Sequence, residues 1–288
     1  MAVPMNSLQL VLPLPRSGSS GAGISYYTQI IRCPRKVVLD RELKEPDDRA
    51  DGAAAVGTMV HQLDELYYGG RSDNPLVIPI SDVNWGNSIE EAKRCWGAYI
   101  KRFPGRDWWG EVLAVEEQHP AEPFEGIAVE ADLIAAAVGI DPFTIRIDRV
   151  IRVTEESAAR IALNTELGAL KPGVYLYDRK TKGKADGDAA LMHAHSLQFY
   201  AYMLVYNAIN QHEPCLGLIV DEIVTTKEPK FRQFLVTPPD EQQQQVVRSM
   251  LKNAKALEKS DAALGVAFGC KEYNRFCPHL LSGACTRS

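Results

Sequence analysis

Long apolar runs are missing from this sequence. Nothing in its 288 residues approaches the ~18 to 20 uninterrupted apolar residues of a membrane span. The N-terminal run Leu8 to Leu14 is short, broken by Pro13 and not preceded by Lys or Arg, which argues against a secretory signal. An excess of positive charge is also lacking: 32 Lys and Arg against 37 Asp and Glu leave a net charge of -5, so a nucleic-acid partner would have to be held by local patches. Cysteine is scarce. Six in a chain this long are too few for a disulfide scaffold, and their spacing is not the C-x2-C of a zinc ribbon. What remains, 45% hydrophobic and 24% charged residues, is the composition of a globular protein without repeats, expected in the cytoplasm and away from membranes.

Residues 1–23, with three prolines and the Ser/Gly tract Ser17 to Gly23, read as a flexible arm ahead of a single domain spanning 24–288. A helical pattern from Ile24 to Asp40, with Ser25 as N-cap, meets a break at Cys33-Pro34. Val56, Met59, Val60, Leu63, Leu66 and Tyr67 predict an amphipathic helix over 53–68 that carries His61 and stops at Gly69-Gly70. Ser88 and Glu91 have capping-box spacing ahead of a second helix that takes Cys95 and Trp96 into the core. Strands are expected at 112–115, 127–136, 143–153, 174–180, 216–224 and 231–236, with a loop over 154–173 and one helix over 189–209. A last helix, capped at Thr237, runs to Leu257. The order implies an α/β fold with a mixed central sheet flanked by helices.

In Val174-Tyr175-Leu176-Tyr177-Asp178-Arg179-Lys180 a strand ends in Asp-x-Lys, and period-two alternation puts Asp178 and Lys180 on one face. A carboxylate can anchor a hard divalent ion while a lysine beside it positions or helps deprotonate an attacking water, a pairing suited to metal-assisted hydrolysis. Glu42/Lys44, Glu91/Lys93 and Glu228/Lys230 share the spacing, but only Asp178/Lys180 follows an apolar strand and is preceded by a strand with a mid-strand carboxylate, Asp148. A buried strand carboxylate needs a partner, either a metal or Arg146 or Arg149. Gln198 and Tyr202, four apart on a helix, share a face.

The order Cys33-Pro34-Arg35-Lys36, Gly57-Thr58-Met59-Val60-His61, Arg146-Ile147-Asp148-Arg149, Asp178-Arg179-Lys180-Thr181, Gln198 with Tyr202, then three C-terminal cysteines resembles the RecB-type branch of the PD-(D/E)XK nucleases over roughly residues 24 to 285. Within that branch it is similar to phage-type and CRISPR adaptation exonucleases that carry an iron-sulfur cluster. The resemblance implies a restriction-endonuclease-like sheet with N-terminal helices and a cysteine tail, residues 260–288, closing on them. It implies that His61, Asp148, Asp178 and the Arg179 carbonyl bind Mg²⁺ or Mn²⁺, with Lys180 on the nucleophilic water and Gln198 and Tyr202 contacting or orienting DNA and the lysine. An imidazole ligand favours Mn²⁺ over Mg²⁺. A further acid is expected from Glu116 or Glu117, without a choice between them.

It further implies that Cys33, Cys270, Cys277 and Cys285 hold a [4Fe-4S] cluster, although the family's pattern often has a closer pair than the C-x6-C-x7-C of this tail. Zinc, with His279 replacing one cysteine, is the competing occupant. Arg32, Arg35 and Lys36, and Arg179, Lys180, Lys182 and Lys184, supply local positive charge for DNA phosphates. Trp108 and Trp109 receive no site role, and Cys95 and Cys215 none beyond packing. The expected activity is a metal-dependent DNA exonuclease of recombination, repair or phage DNA metabolism, with recombination, helicase or CRISPR-type proteins as partners. The alternatives are a non-cleaving DNA-binding or assembly subunit on the same fold, and an endonuclease with the same chemistry.

Overall fold

A computed structural model describes residues 23–33, 37, 53–70, 88–119, 127–258, 271–272 and 275–276. Helix α1 (Ile24–Arg32) is followed by α2 (Ala53–Tyr68) and α3 (Ser88–Arg102), then by β1 (Glu111–His119), α4 (Ile127–Val138) and β2 (Ile145–Val153). Helix α5 (Glu155–Asn164) leads into β3 (Gly173–Lys182), and α6 (Ala189–Ala194) with α7 (Leu197–Ile209) crosses to β4 (Leu218–Val224). Strand β5 (Lys230–Val236), helix α8 (Glu241–Glu258) and the short pair β6 (Lys271–Glu272) and β7 (Arg275–Phe276) complete the order.

The five-stranded sheet runs β1-β2-β3-β4-β5, antiparallel throughout except for the parallel pair β3/β4. A parallel pair needs a long crossover, which α6 and α7 supply. Helices cover both faces of the sheet, so its central strands read as apolar runs, and all seven residues of β4 are buried. One core gathers Tyr27 and Ile30 of α1, Ile134 and Val138 of α4, Phe199 and Met203 of α7, and Leu251 of α8 against Val174, Leu176 and Val220. The other gathers Met59 and Leu63 of α2 and Trp96 and Tyr99 of α3 against Tyr175, Tyr177 and Ile219. The mixed α/β sheet covered by helices is thus present. Among the described residues, no helix is long and apolar enough to cross a membrane.

Several local expectations are corrected. The 127–136 segment is a helix, not a strand. Its apolar run has no clear period, but its alanines favour a helix, and Ile134, Ala137 and Val138 are buried at helical spacing. The loop expected over 154–173 contains α5, begun by a reciprocal cap in which the Ser157 N–H donates to Thr154 Oγ1 and the Thr154 N–H to Ser157 Oγ. The single helix over 189–209 breaks at His195-Ser196.

Gly23, not Ser25, caps α1, and Gly23 also bridges to Thr144. Cys33 is the extended C-cap, as a residue preceding proline prefers, which is the break expected at Cys33-Pro34; residues 34–36 and 38–40 lie outside the described residues. Ser88 is already helical. Helix α8 starts after Pro238-Pro239, with the Gln243 N–H donating to Asp240 Oδ1, rather than at Thr237. Trp108 and Trp109 are buried, and the Trp109 indole N–H donates to the Tyr99 hydroxyl at 2.6 Å. The arm at 1–22 and most of the 260–288 tail lie outside the described residues.

Candidate active site

The β2–β3 ladder runs from Val153↔Gly173 to Arg149↔Tyr177. The next residues outward, Asp148 and Asp178, therefore stand where the two strands part. A parted strand leaves backbone donors without ladder partners, and the Arg179 N–H is satisfied by the Asp148 carboxylate, Oδ2 at 2.8 Å. Asp178 is 2% exposed, and the Lys180 ammonium reaches its Oδ2 at 2.7 Å from the same face of β3. Burial raises the Asp178 carboxyl to about 6, with Asp148 adding to the rise and Lys180 and His61 opposing it. Burial also works against the Lys180 ammonium, but Asp178 and Asp148 outweigh it and hold the lysine above its ordinary value. The two acids thus hold Lys180 in its charged form.

His61 projects from α2 with Nδ1 3.4 Å from Asp148 Oδ2. The third member comes from β1. Val115 pairs with Arg149 and Glu117 with Ile147, which sets Glu116 opposite Asp148. Glu116 has φ +53°, the left-handed region that a non-glycine residue seldom occupies, and its carboxylate is ion-paired with Arg146. Burial and the neighbouring Asp148 push the Glu116 carboxyl up to about 8 against the pull of Arg146.

Donor atoms of His61, Glu116 and Asp148 lie within 4.8 Å of one another, all three side chains being partly accessible. One imidazole and two carboxylates are a donor set that fits a divalent ion such as Mn²⁺ or Mg²⁺. Asp178 is not a member of that group among the described residues, and its Oδ2 lies against Lys180.

On α7, Gln198 Nε2 donates to the Tyr202 hydroxyl at 2.7 Å. Burial keeps that hydroxyl far above its usual range, and the charges of Asp178 and Asp148 push the same way, so Tyr202 is a neutral phenol facing the two acids. Lys180 lies 5.4 Å from the ring centroid of Phe199, which follows Gln198. The structure thus brings His61, Asp148, Asp178, Lys180 and the Gln198–Tyr202 pair to one end of the sheet.

Arg179 does not offer its side chain to phosphate. The alternation that joins Asp178 to Lys180 sends Arg179 to the opposite face, where it is fully buried. There its Nε meets Asp64 Oδ1 at 2.6 Å, its Nη1 meets Asp221 Oδ2 at 3.1 Å, and its guanidinium lies 3.9 Å over the Tyr99 ring. Arg149 is equally buried, 3.2 Å from Asp64 Oδ2 and 3.7 Å from the centroids of both Tyr68 and Tyr177. The partners foreseen for Asp148 are also taken, Arg146 by Glu116 and Arg149 by Asp64. Lys182 pairs with Asp186 at 3.8 Å and Lys184 is exposed, while Arg35 and Lys36 lie outside the described residues.

Cys33 is buried at the end of α1, and Cys270, Cys277, Cys285 and His279 are outside the described residues. Cys95 and Cys215 are buried thiols, the latter pushed up to about 12 by burial, as packing residues should be.

The sequence held no signal that chose Glu116 over Glu117, because β1 shifts register between Val112 and Ala114 and Glu116 itself leaves the extended region, so alternation does not fix which acid meets Asp148. Asp64 and Asp221 carried no signal either, because their partners are distant in sequence.

No family model matches the chain, and no curated protein matches it. Among solved structures, SSO0001 is 15% identical, with a TM-score of 0.37 over 85% of this chain and 81% of that one. A structure from Eubacterium rectale bearing the name "Putative exonuclease" is 13% identical, with a TM-score of 0.43 over 91% and 92% of the two chains. Likenesses at these scores carry no weight for the chemistry of the site, which stands on its own geometry.

Proposed function

We propose that the protein is a Mg²⁺- or Mn²⁺-dependent deoxyribonuclease that hydrolyses phosphodiester bonds at DNA ends or on single strands. The observation that carries this reading is the convergence of His61, Glu116 and Asp148 beside the Asp178–Lys180 pair, where two strands part. His61, Glu116 and Asp148 would hold the ion, with Asp178 and the Arg179 carbonyl nearby as further oxygen donors. When bound, the ion supplies Lewis-acid polarisation of the phosphate and a lower pKa for water.

The chain's own groups do the rest. Lys180, kept charged, orients the attacking water and neutralises charge that builds on the phosphate oxygens. Tyr202, kept neutral, donates towards substrate, and Gln198 fixes its hydroxyl. Asp148 also ties down the Arg179 N–H, so that the backbone at the fork does not need water.

Exonuclease action, in recombination, repair or phage DNA metabolism, is preferred over endonuclease action with the same residues. It is also preferred over a DNA-binding or assembly subunit, which has no use for a lysine set between carboxylates. Partner proteins of recombination, helicase or CRISPR type and a cytoplasmic location belong to the same proposal. So does a [4Fe-4S] cluster on Cys33, Cys270, Cys277 and Cys285, to be separated from zinc by assaying iron, acid-labile sulfide and zinc in purified protein.

The deciding experiment is incubation with end-labelled linear and circular DNA, single- and double-stranded, with Mg²⁺, Mn²⁺ or a chelator. Shortening of linear DNA that needs the ion supports the exonuclease. Nicking of circles supports the endonuclease, and retention of all four DNAs uncut with either metal would refute cleavage.

A further inference from the structure

We propose that Asp64 is a positioning residue, which sets the place of the His61 imidazole against Asp148 and so the affinity of the site for a divalent ion. The inference rests on the metal-dependent reading above and extends it to a residue that touches neither ion nor DNA.

Asp64 follows His61 by three residues on α2, one helical turn away. Its side chain is 5% exposed, and its two oxygens take different arginines: Oδ1 meets Arg179 Nε at 2.6 Å and Oδ2 meets Arg149 Nε at 3.2 Å. Arg149 is the chain neighbour of Asp148, and Arg179 sits between Asp178 and Lys180. Because strands alternate, the site acids and the arginines leave adjacent strand positions towards opposite faces. One carboxylate on α2 therefore grips both strands at the fork, from behind. A slide of α2 that would carry His61 away from Asp148 must break at least one of these two buried ion pairs. The rigidity comes from the surroundings: both guanidiniums are fully buried and packed on aromatic rings, so neither can follow Asp64 outward.

The same cluster holds its own control. Asp221 is as buried as the arginines and accepts from Arg179 Nη1 at 3.1 Å, from the Tyr177 hydroxyl and from Gln233 Nε2 at 2.7 Å. All of these partners are on β3 and β5, so Asp221 ties the sheet to itself and makes none of these bonds with α2. Losing Asp221 should cost stability as losing Asp64 does, but it should not move His61.

The test is Mn²⁺ titration calorimetry on the full chain without DNA, alongside urea unfolding, for the wild type, Asp64→Asn, Asp221→Asn, His61→Ala and the His61→Ala/Asp64→Asn double variant. Asp64→Asn is expected to raise the Mn²⁺ Kd by about tenfold or more, as removal of a residue that orients a ligand does, and Asp221→Asn by less than about twofold. In the His61→Ala background Asp64→Asn should add no further loss. Equal Kd shifts in the two single variants, or a full Asp64→Asn effect without His61, would overturn the proposal. If Asp64→Asn does not fold, Asp64→Glu keeps the charge but lengthens the arm by one methylene, and an unchanged Kd in that variant overturns the proposal equally. A wild type that takes up no Mn²⁺ would instead remove the metal-dependent reading, and this inference with it.

Discussion

The two faces of β3 use nearly the same residue types to opposite ends. On the closed face, Arg149 and Arg179 meet Asp64 and Asp221, two cations against two anions, with Tyr68, Tyr99 and Tyr177 filling the space around them. On the open face, Asp148, Asp178 and Glu116 face Lys180, Arg146 and the partly exposed His61. Both guanidiniums are held above their ordinary pKa despite burial, because the acids outweigh it. Two of the open-face carboxyls, by contrast, are driven upward, Asp178 to about 6 and Glu116 to about 8. A buried cluster whose guanidiniums lie against as many carboxylates holds its charges, whereas carboxyls driven upward by burial and by one another are poised to take up a proton or a cation. The difference teaches that the charges facing a buried group, and not burial alone, separate a structural cluster from a reactive one.

The comparison is sharpest where each face is cut once. Asp178→Asn and Asp148→Asn should lower DNA cleavage on the order of 10³-fold or more while the protein stays folded. The thermal midpoint of Asp178→Asn should stay level or rise, because a charge that burial disfavours has been removed. Cleavage at the wild-type rate in purified Asp178→Asn would dissolve the distinction between the faces. Arg149→Met should do the reverse. With Asp64 then short of one cation, stability falls by about 3–5 kcal/mol, read from urea unfolding. An unchanged midpoint would show that the Arg149–Asp64 pair contributes nothing to the closed cluster.

Much of this contrast was legible in the sequence, though unevenly. Period-two alternation in Tyr177-Asp178-Arg179-Lys180 pairs the acid with the lysine, and the same rule excludes Arg179 from their face. Alternation thus also turns the Arg179 guanidinium away from phosphate. What alternation could not supply was the partner: Asp64 lies 115 residues before Arg179, on a helix where an acid after His61 reads as solvent-facing. Helices α2 and α3 were visible because their apolar residues recur at three and four. Helix α4 was hidden because an alanine-rich run has no period to show, and α5 because its cap uses Ser157 where Glu or Gln is usual. The tail cysteines Cys270, Cys277 and Cys285 are not among the described residues, so their expected convergence on Cys33 stands as a proposal.

A milder, continuous effect should follow from pH. Both raised carboxyls favour the proton in the folded protein, so the stability they contribute is fully present below the ordinary carboxylate range. It is lost as pH rises through about 6 for Asp178 and about 8 for Glu116. Metal-free protein should therefore become less stable between pH 5 and 8 as judged by urea unfolding, and Mn²⁺ affinity should rise over the same interval because the ion displaces protons. Glu116→Gln should flatten the upper part of the stability curve. A metal-free protein that gains stability from pH 6 to 8 would contradict the upward drive on the open-face carboxyls.

The smallest expected effect separates strain from chemistry at one residue. Glu116 lies at φ +53°, where a side chain is disfavoured and glycine is at ease. Glu116→Gly relieves that backbone and also removes a partly buried, protonation-prone carboxyl, at the expense of the Arg146 pair and of greater freedom in the unfolded chain. The balance should be a gain of about 1 kcal/mol or less in urea unfolding, with weaker Mn²⁺ binding. Glu116→Gln keeps the strained backbone and loses the charge, so its Mn²⁺ affinity should fall alike with less gain in stability. If both variants bind Mn²⁺ as the wild type does, Glu116 belongs to the scaffold and the open face has one reactive carboxylate fewer. If both lose affinity and only the glycine variant clearly gains stability, the strain at β1 is maintained for the sake of the ion.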